Sequence, residues 1–105
     1  MDHQGRESMR IKNMILSAFE QDPLTVLRTL AINDVKQFAT NWSARCPLHP
    51  DTNPSFSISI RTGLWKCHAG CGAGDLFQLY GRLRGIDSKK QFPNLLKRFA
   101  SELRG

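Results

Sequence analysis

CPLHPDTNPSFSISIRTGLWKCHAGC, residues 46–71, decides how this chain folds. It opens with a Cys-x2-His pair, Cys46 and His49, runs seventeen residues without another soft ligand, and then presents Cys67 and Cys71. Two ligand pairs roughly 15 to 20 residues apart have zinc-ribbon spacing, because each pair makes a knuckle and the interval holds a strand, a turn and a strand. All 3 cysteines of the chain lie in this stretch, and a disulfide would leave one thiol over. Three buried thiols beside a surface histidine is the other reading of the same residues, and it leaves their spacing without a cause. The expected ligands of one tetrahedral zinc are therefore Cys46, His49, Cys67 and Cys71. His68 is the rival nitrogen, but it adjoins Cys67, and two neighbouring residues rarely close one compact tetrahedron. The second knuckle has three intervening residues, and Gly70 and Gly72 make that wider turn sterically possible.

A chain of 105 residues reads as one domain, 1–105, with a modest core. A structural zinc compensates, since binding of about 10 to 16 kcal/mol in zinc-finger peptides rivals a domain's net stability of about 5 to 15 kcal/mol. The formal charge is +6. Lys and Arg exceed Asp and Glu by one over residues 1–45, balance them over 46–75, and exceed them by five over 76–105. Three thiolates and one Zn2+ lower the total by about one. A basic balance fits a polyanionic partner such as nucleic acid, although many domains carry as much for solubility alone. No apolar leader opens the chain and no apolar run approaches membrane-spanning length. With reduced thiols, this indicates a cytoplasmic protein without a membrane partner.

Hydrophobic period sets the elements around the ribbon. Residues 1–7 read as a disordered tail with a solvated His3. Ile11, Met14, Ile15, Ala18 and Phe19 follow the helical template, so a helix begins at Ser8. Asp22-Pro23 caps a second helix whose face runs through Leu24, Leu27, Leu30 and Ala31 to Ile32. Residues 35–40 fit neither period, whereas Phe38, Thr40, Trp42, Ala44 and Cys46 alternate and place a strand at about Asn41 to Arg45, with Trp42 in the core. Pro50, Asn53 and Pro54 force a turn. Phe56, Ile58 and Ile60 then alternate with Ser57, Ser59 and Arg61, and Leu64 to Cys67 is the return strand. An even loop between them groups Phe56, Ile58, Ile60, Trp65 and Cys67 on one face, which leaves Ser57, Ser59, Arg61, Leu64 and Lys66 outside. Gly72-Ala73-Gly74 reads as a tight exit from the second knuckle, since it lacks the Lys-Ser/Thr pair of a phosphate loop. Asp75 caps a helix carrying Leu76, Leu79, Tyr80 and Leu83 up to Gly85, and Phe92, Leu95, Leu96, Phe99, Ala100 and Leu103 mark a last one. Pro93 favours a start near Phe92 over a capping box of Ser88 and Gln91. The fold class is α+β: a zinc ribbon at about 41–75, flanked by helices within 8–32 and 76–104.

CPLHPDTNPSFSI followed by WKCHAGCGAGDLFQLY closely resembles the N-terminal CHC-type zinc-binding domain of DnaG-like bacterial and phage DNA primases. The matching positions are Cys46, Pro47, His49, Pro54, Ser55, Phe56, Trp65, Cys67, Cys71, Gly72, Gly74 and Asp75, and they cover about Asn41 to Tyr80. The wider gap between Cys67 and Cys71 departs from that family's two-residue spacing. The resemblance implies a zinc ribbon that binds single-stranded DNA template during RNA primer synthesis for DNA replication. It places Lys66, just before the third ligand, in the template site, with Lys36 and Pro54 on its rim. Arg61, Ser57 and Ser59 join them through the outer strand face. Catalysis in that family belongs to a separate domain that holds metal ions on acidic residues. Here the 9 Asp and Glu are scattered without an Asp-x-Asp pair, so no catalytic residue is expected and the chain alone should not polymerise. Its end at the close of the last helix suggests a piece of a longer primase, with a free-standing relative as the alternative and a catalytic domain in cis or trans.

A different class of function uses the same residues. The zinc can be purely architectural, stapling an adaptor that docks on a protein such as a replicative helicase through its basic C-terminal helix, without direct DNA binding. A thiol redox switch is the third possibility, disfavoured because four-ligand zinc sites hold thiolates closed.

Overall fold

The computed structural model describes residues 3–50 and 54–105. The elements in chain order are α1 (His3–Gln21), α2 (Pro23–Thr29), β1 (Lys36–Gln37), β2 (Asn41–Ala44), β3 (Phe56–Ser59), β4 (Trp65–Cys67), β5 (Gly72–Gly74), α3 (Leu76–Arg84) and α4 (Phe92–Arg104). This is the expected α+β arrangement, a small antiparallel sheet with helices before and after it in sequence.

The helix expected from Ser8 begins at His3, so the described part of the expected tail is helical. Its added residues are all polar or glycine, with Gly5, Arg6 and Glu7 exposed, and apolar periodicity cannot register such residues. Ile15 and Phe19 point into the core, but Met14 is 44% exposed. At the start of α2 the Asp22 carboxylate accepts the Thr25 backbone N–H at 3.3 Å and the Thr25 hydroxyl at 2.6 Å. Proline follows at the first helical position, where its missing N–H costs nothing. The helix stops short of the expected Ile32. Ala31 turns left-handed at φ 62° and is exposed. Its N–H bonds to Arg28 O at 2.9 Å, and the Ile32 N–H reaches back to Leu27 O at 2.9 Å. That pair of bonds is a Schellman ending, with alanine where glycine is usual.

The five strands form one sheet in the order β1-β2-β3-β4-β5, each antiparallel to its neighbours. Phe56 pairs with Cys67 and Ile58 with Trp65. The loop is therefore even, and the expected inner face of Phe56, Ile58, Trp65 and Cys67 is buried together with Trp42 and Ala44. Two strands were not expected. β1 doubles back on β2 across Ala39 and Thr40, so the alternation that seemed to run from Phe38 to Cys46 is interrupted by a turn, and Phe38 is 61% exposed. The run Gly72–Gly74 is no mere exit turn, since it pairs with β4 as an edge strand. Glycines give no side-chain alternation, so only pairing reveals such a strand. Of the expected turn at Pro50, Asn53 and Pro54, Asn53 lies outside the described residues.

Helix α3 starts on a capping box in which Asp75 accepts the Gln78 N–H at 2.8 Å and the Gln78 side chain accepts the Asp75 N–H at 2.9 Å. Helix α4 starts at Phe92, and Gln91 makes no side-chain cap bond. One continuous core joins the inner sheet face to the helices. Tyr80 stacks on Phe99 with ring centroids 4.3 Å apart, and its hydroxyl donates to the Glu102 carboxylate. Arg84 holds the same carboxylate at 2.7 Å through Nη2, which also donates to Thr29 O at 3.1 Å. One guanidinium thus fastens α3, α4 and the end of α2.

Two outcomes follow. Replacing Ala31 with Gly relieves the left-handed strain, and after the entropy that glycine adds to the unfolded chain, it raises stability by about 0.5 to 1 kcal/mol, read by denaturant unfolding. Glu102→Ala strands a buried hydroxyl and a guanidinium and costs about 2 to 3 kcal/mol. The Arg84 guanidinium holds the Glu102 carboxyl below its ordinary 4.5. Its contribution is complete above that value and lost as pH falls through the folded one, so the gap between wild type and variant narrows in acid. A gap that stays constant from pH 7 to well below 4.5 would contradict this role.

Candidate metal centre

In an antiparallel meander, alternate connections lie at the same end of the sheet. The β2–β3 connection carries Cys46 and His49, and the β4–β5 connection starts from Cys67, the last residue of β4, and carries Cys71. Topology therefore brings the two knuckles together from opposite ends of the quoted stretch. Their four ligand atoms lie within 4.8 Å of one another. Cys46 Sγ and Cys71 Sγ are 3.6 Å apart, and Cys67 Sγ is 4.0 Å from His49 Nδ1. A tetrahedral zinc with bonds of about 2.0 to 2.3 Å sets its ligands roughly 3.3 to 3.8 Å apart, a range that the cluster's separations bracket, with His49 Nδ1 and Cys71 Sγ nearest at 2.5 Å. Cys46 and Cys67 are buried, while His49 and Cys71 are half-buried.

Donor chemistry points the same way. Burial pushes the Cys46 thiol up to about 12, although the Leu48 backbone N–H works against it. Burial also opposes ionisation of Cys67, but the Cys71 N–H, the Cys71 thiol, the Ala69 N–H and the Ser55 hydroxyl together hold it at about 6. Burial and the Cys67 thiol raise Cys71, with the Arg82 charge acting in the other direction. Three thiols packed this closely ionise together only around a divalent cation, which a Cys3His zinc site supplies. All four positions would be filled by protein, so the ion would act as a cross-link and leave no open position for substrate.

The wide second knuckle rests on two glycines. Gly70 takes φ 97° where the N–H bonds back to Cys67 O at 3.1 Å. A Cβ on Gly72 would stand 2.5 Å from Nη1 of Arg82. The missing side chain lets that guanidinium lie against the knuckle and over the Trp65 ring, 5.7 Å from its centroid. A cation there offsets the net negative charge of a Cys3His zinc centre. Arg82 is a site residue that the sequence did not single out, because its link to Cys71 is formed only by the packing of α3 on β5.

The other residues expected at a site fall on the outer sheet face or its margins. His68 is exposed, with Nε2 3.4 Å from the Ser57 hydroxyl, and stands outside the ligand cluster. Lys36, Ser43, Ser57, Lys66 and Ala73 form one cross-strand row by register. Lys36 and Lys66 are exposed at opposite sides of it, with half-buried serines between. The Ser59 oxygen accepts the Arg61 and Thr62 N–H groups, both at 3.3 Å, so it closes the turn and is no free acceptor. Arg61 sits in that turn beyond the end of β3, and Pro54 is exposed at the entry to it. Arg45, also exposed, was overlooked. It directly follows β2 between the buried Ala44 and Cys46, so the alternation in the sequence already marks it as outward-facing.

The purified chain is expected to contain about one zinc. Cys71→Ser should lose metal and unfold the ribbon, whereas His68→Ala should keep both metal content and melting temperature. A Cys71→Ser protein with full zinc and unchanged melting would rule out these ligands.

Comparison with known proteins agrees with this architecture. A profile of the CHC2 zinc finger family, the DnaG zinc-ribbon kind, matches residues 25–104. The chain is 31% identical over 71 residues to DNA primase of Thermotoga maritima and 31% identical over 71 residues to DNA primase of Aquifex aeolicus, in each case over 67% of its own length. It spans only 12% and 14% of the length of those relatives. The crystal structure of Aquifex aeolicus primase, with its zinc-binding and RNA polymerase domains, superimposes with a TM-score of 0.54 at 23% identity. That match covers 80% of this chain and 21% of the other, and it bears on the fold alone. With this profile over most of its length, these relatives and a Cys3His cluster at zinc spacing, the chain belongs to the CHC2 zinc finger family as a zinc-binding domain of DnaG-type DNA primase, carrying one structural zinc.

Proposed function

We propose that this domain holds single-stranded DNA template on the outer face of its sheet, during RNA primer synthesis by a catalytic domain present in cis or in trans. One observation carries the proposal: the register sets Lys36 and Lys66 at either side of a row floored by Ser43 and Ser57. The two lysines are three inter-strand spacings apart, roughly 14 Å. Among the described residues neither lysine forms an ion pair. Small hydroxylated residues between exposed cations let a flexible polyanion approach closely while its phosphates meet the lysines. Arg61 and Pro54 extend the surface at its two ends, and Arg45 adds a cation on the zinc side.

The basic C-terminal helix is a poorer platform for either DNA or an adaptor contact. Its Lys97 pairs with Glu7 at 3.2 Å, and on the neighbouring α3 Arg84 is committed to Glu102 between the helices. For nucleotidyl transfer, acidic residues must hold Mg2+ beside the nucleotide. The 9 Asp and Glu are too scattered in sequence for that work, so polymerisation is assigned to the separate domain.

Fluorescence anisotropy with a labelled oligodeoxynucleotide tests the surface. Lys66→Ala and Lys36→Ala should each weaken binding and lower the slope of log K against log salt by about 0.7, one phosphate contact on a single strand. Arg61→Ala should act in the same direction, and Lys97→Ala should change little. Loss of binding on Lys97→Ala with Lys36→Ala and Lys66→Ala intact would overturn the proposal. Supplied with Mg2+ and nucleotides, the domain alone should make no primer, and primer synthesis by it would equally refute this division of labour.

A further inference from the structure

Among the described residues, two of the four large hydrophobic side chains left exposed are Phe38, at 61%, and Leu64, at 57%. Both lie at the end of the sheet opposite the metal cluster, where the β1–β2 and β3–β4 connections turn. The pairing of Lys36 with Ser43 and Gln37 with Trp42 continues to set Phe38 opposite Asn41. Asn41 pairs with Ser59, and the Ser59 N–H bonds to Leu64 O at 2.9 Å. Phe38, Asn41, Ser59 and Leu64 thus make a second cross-strand row, parallel to the Lys36–Lys66 row. Residues two apart on a strand face the same side and are about 6.8 Å apart, so the rows are separated by that distance. Along its strands the outer face is therefore graded from the zinc end outward: Arg45 and His68 first, then the two lysines, then the two apolar side chains, with Arg61 beyond them in the turn.

From this grading we infer that Phe38 is a base-stacking platform, with Leu64 as an apolar rest for a second base, and that the bound strand crosses the β-strands at a steep angle. The inference rests on the proposed DNA-binding face and adds to it the strand's direction and the residues that contact bases. A strand lying along the lysine row puts phosphates at Lys36 and Lys66 and turns its bases one way. Toward the zinc those bases would meet the charged Arg45 and the polar edge at His68. Toward the hairpin turns they meet Phe38 and Leu64, which are otherwise apolar surface left in water. Phe38 and Leu64 are roughly 14 Å apart, about four stacked nucleotide steps of 3.4 Å, so they take different bases. An aromatic face accepts any base, so this contact adds affinity with little sequence preference. A strand running parallel to the β-strands would instead put a phosphate against Phe38.

The test compares two oligomers of about 12 nucleotides, one with normal bases and one of the same charge with abasic sites throughout. Wild type should bind the base-bearing strand more tightly. Phe38→Ala should weaken that binding roughly 5- to 150-fold, the range for losing one stacked base, with an unchanged salt slope, and should leave abasic binding as it was. Phe38→Trp should retain or increase the preference for bases, and Leu64→Ser should give a smaller loss of the same kind. Phe38 is exposed, so its replacement does not disturb the core, and circular dichroism with zinc content checks this for each variant. If Lys66→Ala weakens both oligomers while Phe38→Ala weakens neither, the stacking inference is wrong and the DNA-binding face stands. If Lys66→Ala weakens neither, or wild type binds neither, the face itself is wrong and the inference falls with it.

Discussion

The cross-link between the two knuckles is the constraint on which the rest of this domain depends. Cys46 and His49 leave β2, Cys67 and Cys71 join β4 to β5, and β3 runs between them. A five-stranded sheet of two- to four-residue strands has few ladder hydrogen bonds and a narrow apolar face. Strands this short are marginal by themselves. Tying both connections to one ion at one end fixes the order and register of β2, β3 and β4 together. The buried sulfur of Cys67 directly opposes Phe56, so the metal cluster and the aromatic core share a wall.

That shared wall commits one side of every strand. Trp42, Ala44, Phe56, Ile58, Trp65 and Cys67 are inside, and strict alternation then delivers their neighbours to solvent. The outer face is a consequence of the inner one, which is why small and charged side chains can be arranged there with little effect on stability. Trp65 shows the coupling at its sharpest. It stacks on Phe56 with centroids 5.7 Å apart, donates its indole N–H to Asp75 O at 2.7 Å, and carries Arg82 on its ring. Trp65 therefore links the start of α3, the side of the metal cluster and the sheet core.

The helical layer is held by different physics. Tyr80, Phe99, Leu95 and Leu96 are fully buried where α3 meets α4, and apolar packing supplies most of their stabilisation. A half-buried polar link of this layer is the Glu102 carboxylate, shared by Tyr80 and Arg84. Burial first, and then the bond to Glu102, push the Tyr80 hydroxyl up to about 12, so that interaction persists until strongly alkaline pH. Arg84 also illustrates why net charge is a poor guide to a binding surface. Part of the C-terminal basic excess holds helices together and does not face a partner.

The sequence alone determined the ligand quartet as a candidate, the inner faces of β2, β3 and β4, the even loop between β3 and β4, and the caps at Asp22, Asp75 and Gly85. Each of these depends on residues close in the chain, where period, spacing and capping chemistry operate. Tertiary structure decided the remainder. β1 and β5 exist because neighbouring strands offer free edges, and neither two residues nor a glycine run carries a periodic signal of its own. The helical turn at His3 buries no apolar side chain, so it was invisible to pattern. Ala31 was read as one more apolar position when it is the left-handed stop of α2, because helix-ending geometry and helix-continuing periodicity compete for the same residue. Phe38 alternates with Trp42 along the sequence, but the chain reverses between them and puts it on the other face. Lys36, Ser43, Ser57 and Lys66 come from four strands and fall in one row only through three pairings across strands. Alternation tells which side of a strand a residue faces, but which residues of other strands stand beside it is settled by register, and register is a property of the folded sheet.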